Sequence, residues 1–566
     1  MLTLHAQLKA AAERDLGRST PTTFPSQDED TFPADYMLYN LLRKEEPFAE
    51  KDEVPTAVLR DSLSKFAESE WRCRVVNLCG RFYTPLVKEE EIFFSEAIRL
   101  ARSWISRTMM EHWPSWEDAR YTSGASRNSS RQRSMAYLKW AGIAEKGRMS
   151  ATTSALDIVE SMIAPEYGSS WKPAKVELVS DCRFDFVHKT ATAVRFITPQ
   201  PEYNLLAQTC VGDCIRKALK EVGIDLDDQT RNQNLAYIGS ITRGIATIDL
   251  TNSSDNIALV HGEELLPERI MDYCLATRVT HATVGGVSHR LNKIATMGNG
   301  FIMELQTLIY AGLAHAVTTL TGGSECDIAV YGDDIVISTA SAQPLMDLLV
   351  HLGMEPNFSK SYWGDVPFRE SCGKHYIAGR DVTPFYVKAP LVDEDGKPCL
   401  RSVFRAINGL MYWQNRTGLR LRSTIKLLVD LLSKKDRIVV PREYSIDCGL
   451  HFAVSGCTLP KRIVTPHGDK MIEFQVLTDP VQDIRERISD DVLYYDWLRS
   501  PPKDLLPENI WSKVGEIRFW SDRYACFPRF HHSGGPRDRK SYSRVLDLET
   551  NPATWVARKC FPGNLA

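Results

Sequence analysis

Residues 327–338 read Asp-Ile-Ala-Val-Tyr-Gly-Asp-Asp-Ile-Val-Ile-Ser. Apolar residues flank Gly332-Asp333, a pair suited to a two-residue turn between antiparallel strands. The pattern predicts a β-hairpin with Asp333 in the turn and Asp334 at the start of the returning strand. Two adjacent carboxylates repel each other, so the arrangement is costly unless a cation lies nearby. A plain surface turn is the alternative, although it does not require a strand as apolar as Ile335–Ile337.

A second carboxylate segment lies upstream, where residues 244–256 read Gly-Ile-Ala-Thr-Ile-Asp-Leu-Thr-Asn-Ser-Ser-Asp-Asn. The pattern predicts a strand that Asp249 closes, followed by a polar turn; a helix-capping cluster is the alternative. If this strand lies beside the hairpin, Asp249, Asp333 and Asp334 form an all-oxygen site. Such a site suits Mg²⁺, and two Mg²⁺ ions can hold the attacking and leaving oxygens of a phosphoryl displacement.

These segments resemble known motifs. Asp249 to Asp255, Met297 to Gly300 and Tyr331 to Asp334 look like motifs A, B and C of the palm of viral RNA-dependent RNA polymerases. The chain is similar to the replicases of the small single-stranded RNA bacteriophages, the group of the Q-beta and MS2 phages. The resemblance spans roughly 181–388 and includes Thr-Met-Gly-Asn-Gly-Phe (296–301), Phe-Arg-Glu-Ser-Cys-Gly-Lys-His-Tyr (368–376) and Asp-Val-Thr-Pro-Phe-Tyr (381–386).

The resemblance implies an α+β, right-hand polymerase with fingers, a palm of antiparallel sheet plus helices, and a thumb. We assign residues 1–240 to the N-terminal region and fingers, 241–390 to the palm, and 391–566 to the thumb and C-terminal region. The implied reaction is templated transfer of ribonucleoside monophosphates to a 3′-OH in replication of a viral RNA genome. Two Mg²⁺ ions are the expected cofactors, with Mn²⁺ able to substitute.

Lys360 is the motif D lysine by resemblance and could donate a proton to the leaving pyrophosphate. By the same resemblance, Lys189 and Arg195 would clamp the incoming triphosphate. The sequence departs from the family here, since Thr192 stands where a second lysine is expected and Gln200 replaces a glutamate. An ordinary exposed strand therefore remains an alternative for this segment.

Asp255 and Asn299 are predicted to bind the nucleotide at the ribose 2′-OH, the group that separates RNA from DNA. Gly298 and Gly300 would let the backbone approach the template–nucleotide pair closely, although a simple turn is compatible with both. Arg369 and Lys374 are predicted to contact phosphates of the primer or product RNA.

The C-terminal stretch Lys513–Arg544 holds eight Lys or Arg residues against three acidic ones, interleaved with aromatic residues. This composition suits single-stranded RNA, and a solvated structural face is the alternative. The net charge of the chain is only −3, so any binding of phosphate must come from such local patches.

The chain of 566 residues is too long for one compact core. No segment is expected to span a membrane: Leu308–Leu320 is too short, and Met1–Leu16 reads as an amphipathic helix and not as a signal peptide. The thirteen cysteines read as cytosolic free thiols, because neither Cys210-x3-Cys214 nor Cys372-x2-His375 has the second pair that a zinc site needs. We expect the protein in the cytoplasm of an infected bacterial host.

Two rival functions stay open at this point. A reverse transcriptase would share the carboxylates but should not carry Asp255 together with Asn299. An inactive palm-like RNA-binding protein would lack one of the three metal-binding aspartates. The resemblance also implies partners: template and product RNA, ribonucleoside triphosphates, host elongation factors Tu and Ts, a small-subunit ribosomal protein and an RNA chaperone.

Residue patterns give the remaining elements. Periodicity predicts helices near 205–222, 303–319, 344–353, 401–414 and 423–434, and β-prone runs at 175–180, 183–188 and 245–250.

Overall fold

The computed structural model describes residues 3–44, 54–122, 124–130, 136–140, 142, 147–167, 175–190, 193–284, 286–393, 395–442, 444–464, 470–477 and 539–542. Of these, Val54 to Asp381 form one compact unit, here the central unit. The described residues before and after that range form the other, the terminal unit. This division differs from the predicted boundaries at 240 and 390, and the names fingers, palm and thumb remain predictions.

The described helices, in chain order, are α1 Leu4–Leu16, α2 Phe32–Asn40, α3 Thr56–Cys79, α4 Lys88–Thr108, α5 Ala136–Trp140, α6 Thr153–Ile158, α7 Ala164–Tyr167, α8 Glu202–Glu221, α9 Thr230–Thr242, α10 Leu259–Leu265, α11 Glu268–Thr277, α12 Ile302–Thr321, α13 Thr339–His351, α14 Leu400–Thr417 and α15 Arg422–Asp430. A π-helical turn, Val159–Ile163, separates α6 from α7. The helices predicted from periodicity are confirmed, with bounds that differ by a few residues. The largest difference is at α13, which begins at Thr339 and includes Pro344, the residue taken as its start.

The described strands are β1 Met149–Ala151, β2 Val176–Leu178, β3 Asp181–Arg183, β4 Asp185–Thr190, β5 Ala193–Ile197, β6 Ile245–Ile248, β7 His281–Val284, β8 Val287–Arg290, β9 Ala329–Tyr331, β10 Asp334–Ser338, β11 Phe368–Ser371, β12 Lys374–Ile377, β13 Arg380–Asp381, β14 Lys461–Val464, β15 Lys470–Leu477 and β16 Arg539–Tyr542. They pair in the orders β6-β10-β9, β11-β12-β13, β3-β7-β8, β14-β15-β16, β1-β2 and β4-β5. The chain is thus a mixture of helices and largely antiparallel sheet.

The sheet β6-β10-β9 carries the predicted hairpin. Asp334 pairs with Tyr331, so the turn consists of Gly332 and Asp333, as predicted. Gly332 has φ +62°, and a β-carbon there would lie 2.8 Å from the side-chain nitrogen of Gln306 on α12. The left-handed backbone favours glycine at this position.

Strand β6 lies antiparallel to β10, with Ile248 opposite Ile335. Continuing this register by one residue places Asp249 opposite Asp334. On its other edge β6 pairs with the segment 356–362, because Thr247 exchanges backbone hydrogen bonds of 2.9 and 2.8 Å with Tyr362. The two carboxylate segments are therefore neighbours, which confirms the spatial prediction made from the sequence.

Helix α12 packs behind this sheet and is buried on most of its sides, against α4, α8 and α13. Its Thr307 hydroxyl accepts a 3.0 Å hydrogen bond from the Gly332 backbone N–H, which attaches the hairpin turn to the core. Apolar contact supplies most of the stabilisation of such a helix.

None of the described helices combines the length and apolar character needed to cross a bilayer.

His261 of α10 is buried and joins that helix to the residue that follows α13. Its Nδ1 accepts from the Ala258 backbone N–H at 3.1 Å, so its Nε2 is the donor to the Leu352 carbonyl at 2.8 Å. This arrangement requires the neutral ring, and burial lowers the pKa of His261 from 6.5 to about 4.

The buried histidine predicts a loss of stability in acid. Between pH 6.5 and 4 the unfolded chain binds a proton at His261 that the folded chain excludes, so the free energy of unfolding falls as the pH falls, by about 3 kcal/mol in total. Denaturant unfolding of the wild type and of His261→Gln at pH 7, 6 and 5 checks this. The stability difference between the two should shrink toward pH 5, and a constant difference contradicts the prediction.

In the terminal unit, α1 packs against α15 around a core that includes Leu8, Phe404 and Trp413. The Asp15 carboxylate accepts the backbone N–H groups of Ser423 and Thr424, at 2.9 and 2.8 Å, at the beginning of α15. A carboxylate at this end satisfies N–H groups that have no partner within the helix. The N-terminal amphipathic helix predicted from the sequence is confirmed as α1.

Candidate active site

Asp249 and Asp333 line one cleft of about 270 Å³ in the central unit. Asp249 follows the last residue of β6, and Asp333 lies in the β9–β10 turn. Asp334 is partly buried behind this turn; its Oδ1 accepts a hydrogen bond of 3.4 Å from the Ser371 hydroxyl of β11. The strand register thus makes neighbours of the two distant segments that carry the three aspartates, and it places two of these aspartates in one cleft.

Burial, with a smaller contribution from neighbouring carboxylates, raises the pKa values of Asp334 and Asp249. Burial is the main cause that raises the pKa of Asp334 to about 7; a backbone hydrogen bond from Cys372 opposes it, and the charges of Asp333 and Asp249 add to it. Burial likewise raises the pKa of Asp249, against the opposing charge of Lys360 and with the help of Asp333. Such a site favours the binding of positive charge.

Two side chains from the segment that pairs with β6 contact Asp249. Lys360 Nζ lies 3.3 Å from Asp249 Oδ2, and the Asn357 side-chain amide donates to the same oxygen at 3.0 Å. Lys360 is half exposed and lines the cleft, and its role in catalysis remains a prediction. Asn357 was not identified from the sequence, although it stands three residues before Lys360.

The side chains do not form a ready-made metal centre. Across the part of the chain that the structure describes, no three His, Cys, Asp or Glu residues are grouped so that they could hold a metal ion together. The chemistry of the donors nevertheless fits Mg²⁺, since all are hard oxygens and the strand register places two of the carboxylates opposite each other. Lys360 and Asn357 both contact Asp249 through Oδ2, and a carboxylate has a second oxygen that can also act as a ligand.

Asp255 also lines the cleft, where it was expected to meet the ribose. Its Oδ1 accepts a hydrogen bond of 3.0 Å from Lys293 Nζ, and Lys293 in turn lies 3.1 Å from Glu70 Oε1 on α3. The Lys293 side chain is fully buried. Burial lowers its pKa, but the charges of Asp255 and Glu70 outweigh this and raise it overall. Lys293 and Glu70 were not identified as neighbours of Asp255 from the sequence.

The loop before α12 carries Gly298, Asn299 and Gly300. Gly298 has φ +122°, and a β-carbon there would lie 2.6 Å from the carbonyl oxygen of Thr198. Asn299 is buried; its Oδ1 accepts the Phe301 backbone N–H at 3.1 Å, and its side chain does not line the cleft. These contacts lie within the protein, so the nucleotide contact of Asn299 and the template contacts of both glycines remain predictions.

A buried polar network holds the same loop. The Thr198 N–H donates to the Met297 carbonyl at 2.7 Å, and the Gln208 side-chain oxygen accepts from the Gly300 N–H at 2.9 Å. Gln200, which departs from the family pattern, donates to the Thr198 carbonyl at 2.8 Å and approaches Thr296 at 3.4 Å. A neutral amide at this position can both donate and accept, which suits a network made of hydroxyl, amide and carbonyl groups.

The hairpin β4–β5 carries the predicted triphosphate contacts. Arg195 is exposed and lines the cleft that holds Asp249 and Asp333. Lys189 belongs to β4, but its side chain is outside the described residues, as is Thr192. Lys65 of α3, which was not identified from the sequence, lines the same cleft. The lining of the cleft therefore includes the cationic side chains of Lys65, Arg195 and Lys360 as well as the aspartates.

Arg369 does not occupy the predicted position at the product RNA. The side chain is fully buried, and burial lowers its pKa to about 10. Its guanidinium donates to backbone carbonyls of the protein, namely those of Ile245, Gly364, Val366 and Phe368. The prediction of a phosphate contact is wrong for this residue, because its donors join β11 to β6 inside the fold.

The other predicted RNA contacts are less constrained. Lys374 pairs with Asp381 at 3.0 Å and is more than one-third exposed, so its contact with RNA remains a prediction. The stretch Lys513–Arg544 lies outside the described residues except for β16. Cys210 and Cys214 are buried cysteines of α8.

Comparison with known proteins shows the family to which the chain belongs. The model of the family described as RNA replicase, beta-chain, matches residues 3–553. The RNA-directed RNA polymerase subunit beta of Enterobacteria phage SP is 31% identical over 422 residues, which cover 70% of this chain and 67% of that protein. The corresponding chain of Enterobacteria phage fr is 30% identical and covers 70% of each, and that of Escherichia phage MS2 is 40% identical over 192 residues, 34% of this chain and 35% of that one.

Among solved structures, the RNA-dependent RNA polymerase of a human picobirnavirus aligns with a TM-score of 0.40 and 12% identity, over 66% of this chain and 74% of that one. A TM-score this low does not define a shared fold. The assignment follows instead from the family match, which extends over nearly the whole chain: the protein belongs to the RNA replicase beta-chain family and is an RNA-directed RNA polymerase of an RNA bacteriophage.

Proposed function

We propose that the protein replicates a viral RNA genome by two-metal nucleotidyl transfer at the cleft that holds Asp249 and Asp333. The growing strand's 3′-oxygen forms a bond to the α-phosphorus of a ribonucleoside triphosphate, and the bond from that phosphorus to the bridging oxygen breaks to release pyrophosphate. The single observation that carries the proposal is the register of β6 and β10, which brings the aspartates of two distant segments together in a cleft with Lys360.

Different residues of the chain would have different roles in this reaction. Asp249, Asp333 and Asp334 would hold two Mg²⁺ ions, which would neutralise charge on the attacking and leaving oxygens. Lys360 would supply a proton to the pyrophosphate oxygen as charge builds on it. Arg195 and Lys189 would bind the triphosphate.

Sugar choice belongs to the same proposal. Asp255 lines the cleft and is an acceptor for the 2′-OH of the incoming ribose. A site that makes this bond rejects the deoxy analogue, because its carboxylate then loses a partner.

We extend the proposal to architecture and partners. The sheet β6-β10-β9 with α12 and α13 would be the palm, β4–β5 part of the fingers, and α14 and α15 part of the thumb. The host factors would be elongation factors Tu and Ts, a small-subunit ribosomal protein and an RNA chaperone, met in the cytoplasm of the infected cell. Purification of the tagged chain from infected cells, followed by mass spectrometry, tests the partners, and their absence from the purified complex contradicts this part.

Metal dependence tests the chemistry. The replicase complex, given an RNA template and ribonucleotides, should lose synthesis in excess EDTA and regain it with Mg²⁺ or Mn²⁺. Electron paramagnetic resonance should detect Mn²⁺ bound to the wild type and much weaker binding to Asp249→Asn. Full synthesis in EDTA, or equal Mn²⁺ binding by both proteins, overturns the metal assignment.

A further inference from the structure

A buried lysine stands behind the cleft, between two carboxylates. Lys293 Nζ lies 3.0 Å from Asp255 Oδ1 and 3.1 Å from Glu70 Oε1, and 4.1 Å from the centre of the Phe66 ring. Its side chain has no exposed surface. Burial of an ammonium group is costly, and it persists only where partners compensate it as these do.

Asp255 is the member of this cluster that reaches the cleft. It lines the cleft, and its side chain is 13% exposed. Its backbone is fixed on both sides, since its N–H donates to the Asn252 carbonyl at 2.8 Å and its carbonyl accepts from the Cys73 thiol at 3.5 Å. The carboxylate can therefore reorient only by rotation of its side-chain bonds, and the contact with Lys293 restricts that rotation.

Glu70 fixes the lysine from the other side. Its Oε2 accepts the backbone N–H of Asn292 at 2.8 Å and the side-chain amide of the same residue at 3.2 Å. The cluster contains one ammonium and two carboxylates, so it keeps one net negative charge. Without the ammonium, Glu70 and Asp255 would be two partly buried anions with no cation between them, and they would repel each other.

We propose that Lys293 is a positioning residue for ribose selection: by holding one oxygen of Asp255, it keeps the carboxylate turned so that it can accept a hydrogen bond from the 2′-OH of the incoming nucleotide. The inference rests on the proposed function, in which Asp255 contacts that hydroxyl. It adds a specificity role for a buried residue outside the cleft, and it links α3 through Glu70 to the choice between RNA and DNA precursors.

The test compares kcat/KM for a ribonucleoside triphosphate and its 2′-deoxy analogue on one RNA template with the full replicase complex. Lys293→Met should lower the ribo-to-deoxyribo ratio about 10- to 100-fold, the effect of a hydrogen bond to a charged group. The loss should fall on the ribonucleotide, since the deoxy analogue never makes the bond. A general disturbance of the fold would lower kcat/KM for both substrates by the same factor and leave the ratio unchanged.

A matched control removes another buried ammonium. Lys139 is also buried, but its Nζ donates to the carbonyls of Thr122 and Gly124, at 2.8 and 2.7 Å, and not to a carboxylate of the cleft. Lys139→Met should keep the wild-type ratio whatever it does to stability. An equal fall in the ratio for both methionine variants overturns the proposal.

Two further variants separate the possible failures. Asp255→Ala should lower the ratio at least as far as Lys293→Met; if it does not, the sugar role of Asp255 in the proposed function fails, and the inference fails with it. If Asp255→Ala lowers the ratio but Lys293→Met does not, only the inference is overturned. Should Lys293→Met not fold, the double variant Glu70→Gln with Lys293→Met removes one charge of each sign, and a wild-type ratio in that protein overturns the inference.

Discussion

Asp333→Asn is expected to reduce the rate of nucleotide addition at least about 10³-fold while leaving the fold intact. Asp333 lies in a two-residue turn and is only partly buried, so the substitution removes a charge without removing packing. If its carboxylate neutralises charge on the reacting phosphates through a bound cation, the amide cannot replace it. Single-nucleotide addition under pre-steady-state conditions measures the rate.

Asp347→Asn is the matched control for that substitution. Asp347 is exposed on α13, accepts a hydrogen bond of 2.8 Å from Gln343, and does not line the cleft. The control should retain the wild-type rate, and both variants should unfold at nearly the wild-type temperature. A rate within a factor of two of the wild type for Asp333→Asn would remove this residue from the catalytic group.

Lys360→Ala is expected to slow the chemical step about 10²-fold and to spare RNA binding. The lysine lies 3.3 Å from Asp249 on the cleft wall and is half exposed, which leaves its ammonium free to move to a leaving pyrophosphate. The maximal rate of addition and the affinity for RNA, measured separately, distinguish loss of proton transfer from loss of binding.

Two variants sharpen this test. Lys217→Ala removes a lysine of similar exposure that also pairs with an aspartate, Asp118, but lies outside the cleft, and it should be neutral. Lys360→Arg keeps the positive charge, but a guanidinium does not give up its proton, so it should remain slow. Wild-type speed for Lys360→Arg contradicts the proton role and leaves only a charge role.

The sequence was sufficient for the parts of the site that depend on local pattern. Gly332-Asp333 predicted the hairpin, because a two-residue turn between apolar strands has few sequence solutions, and the strand that ends at Asp249 was evident from its own residues. That these two segments are neighbours followed only from assuming a shared site. The pairing of Ile248 with Ile335 in the structure shows this proximity directly from the backbone.

Other parts could not be predicted, for physical reasons. Lys293 and Glu70 are 223 positions apart (293 − 70), and nothing in a single sequence shows that a lysine is buried. Arg369 was misassigned for the same reason: a guanidinium that binds phosphates and one that binds backbone carbonyls have the same donors, and only burial distinguishes them. Side-chain environment, unlike turn type, is set by the tertiary structure.

The cap that Asp15 provides for α15 has a consequence for the order of synthesis. Its partners, Ser423 and Thr424, lie 408 and 409 residues further along the chain. At about 5–20 residues per second, the ribosome needs roughly 20–80 seconds to produce them after Asp15. Through that interval α1 lacks the helix it packs on, whereas all of Val54–Asp381 has been made before the interval ends. Nascent chains halted just before Ser423 should therefore contain a protease-resistant central unit preceded by an N-terminal segment that is readily cleaved.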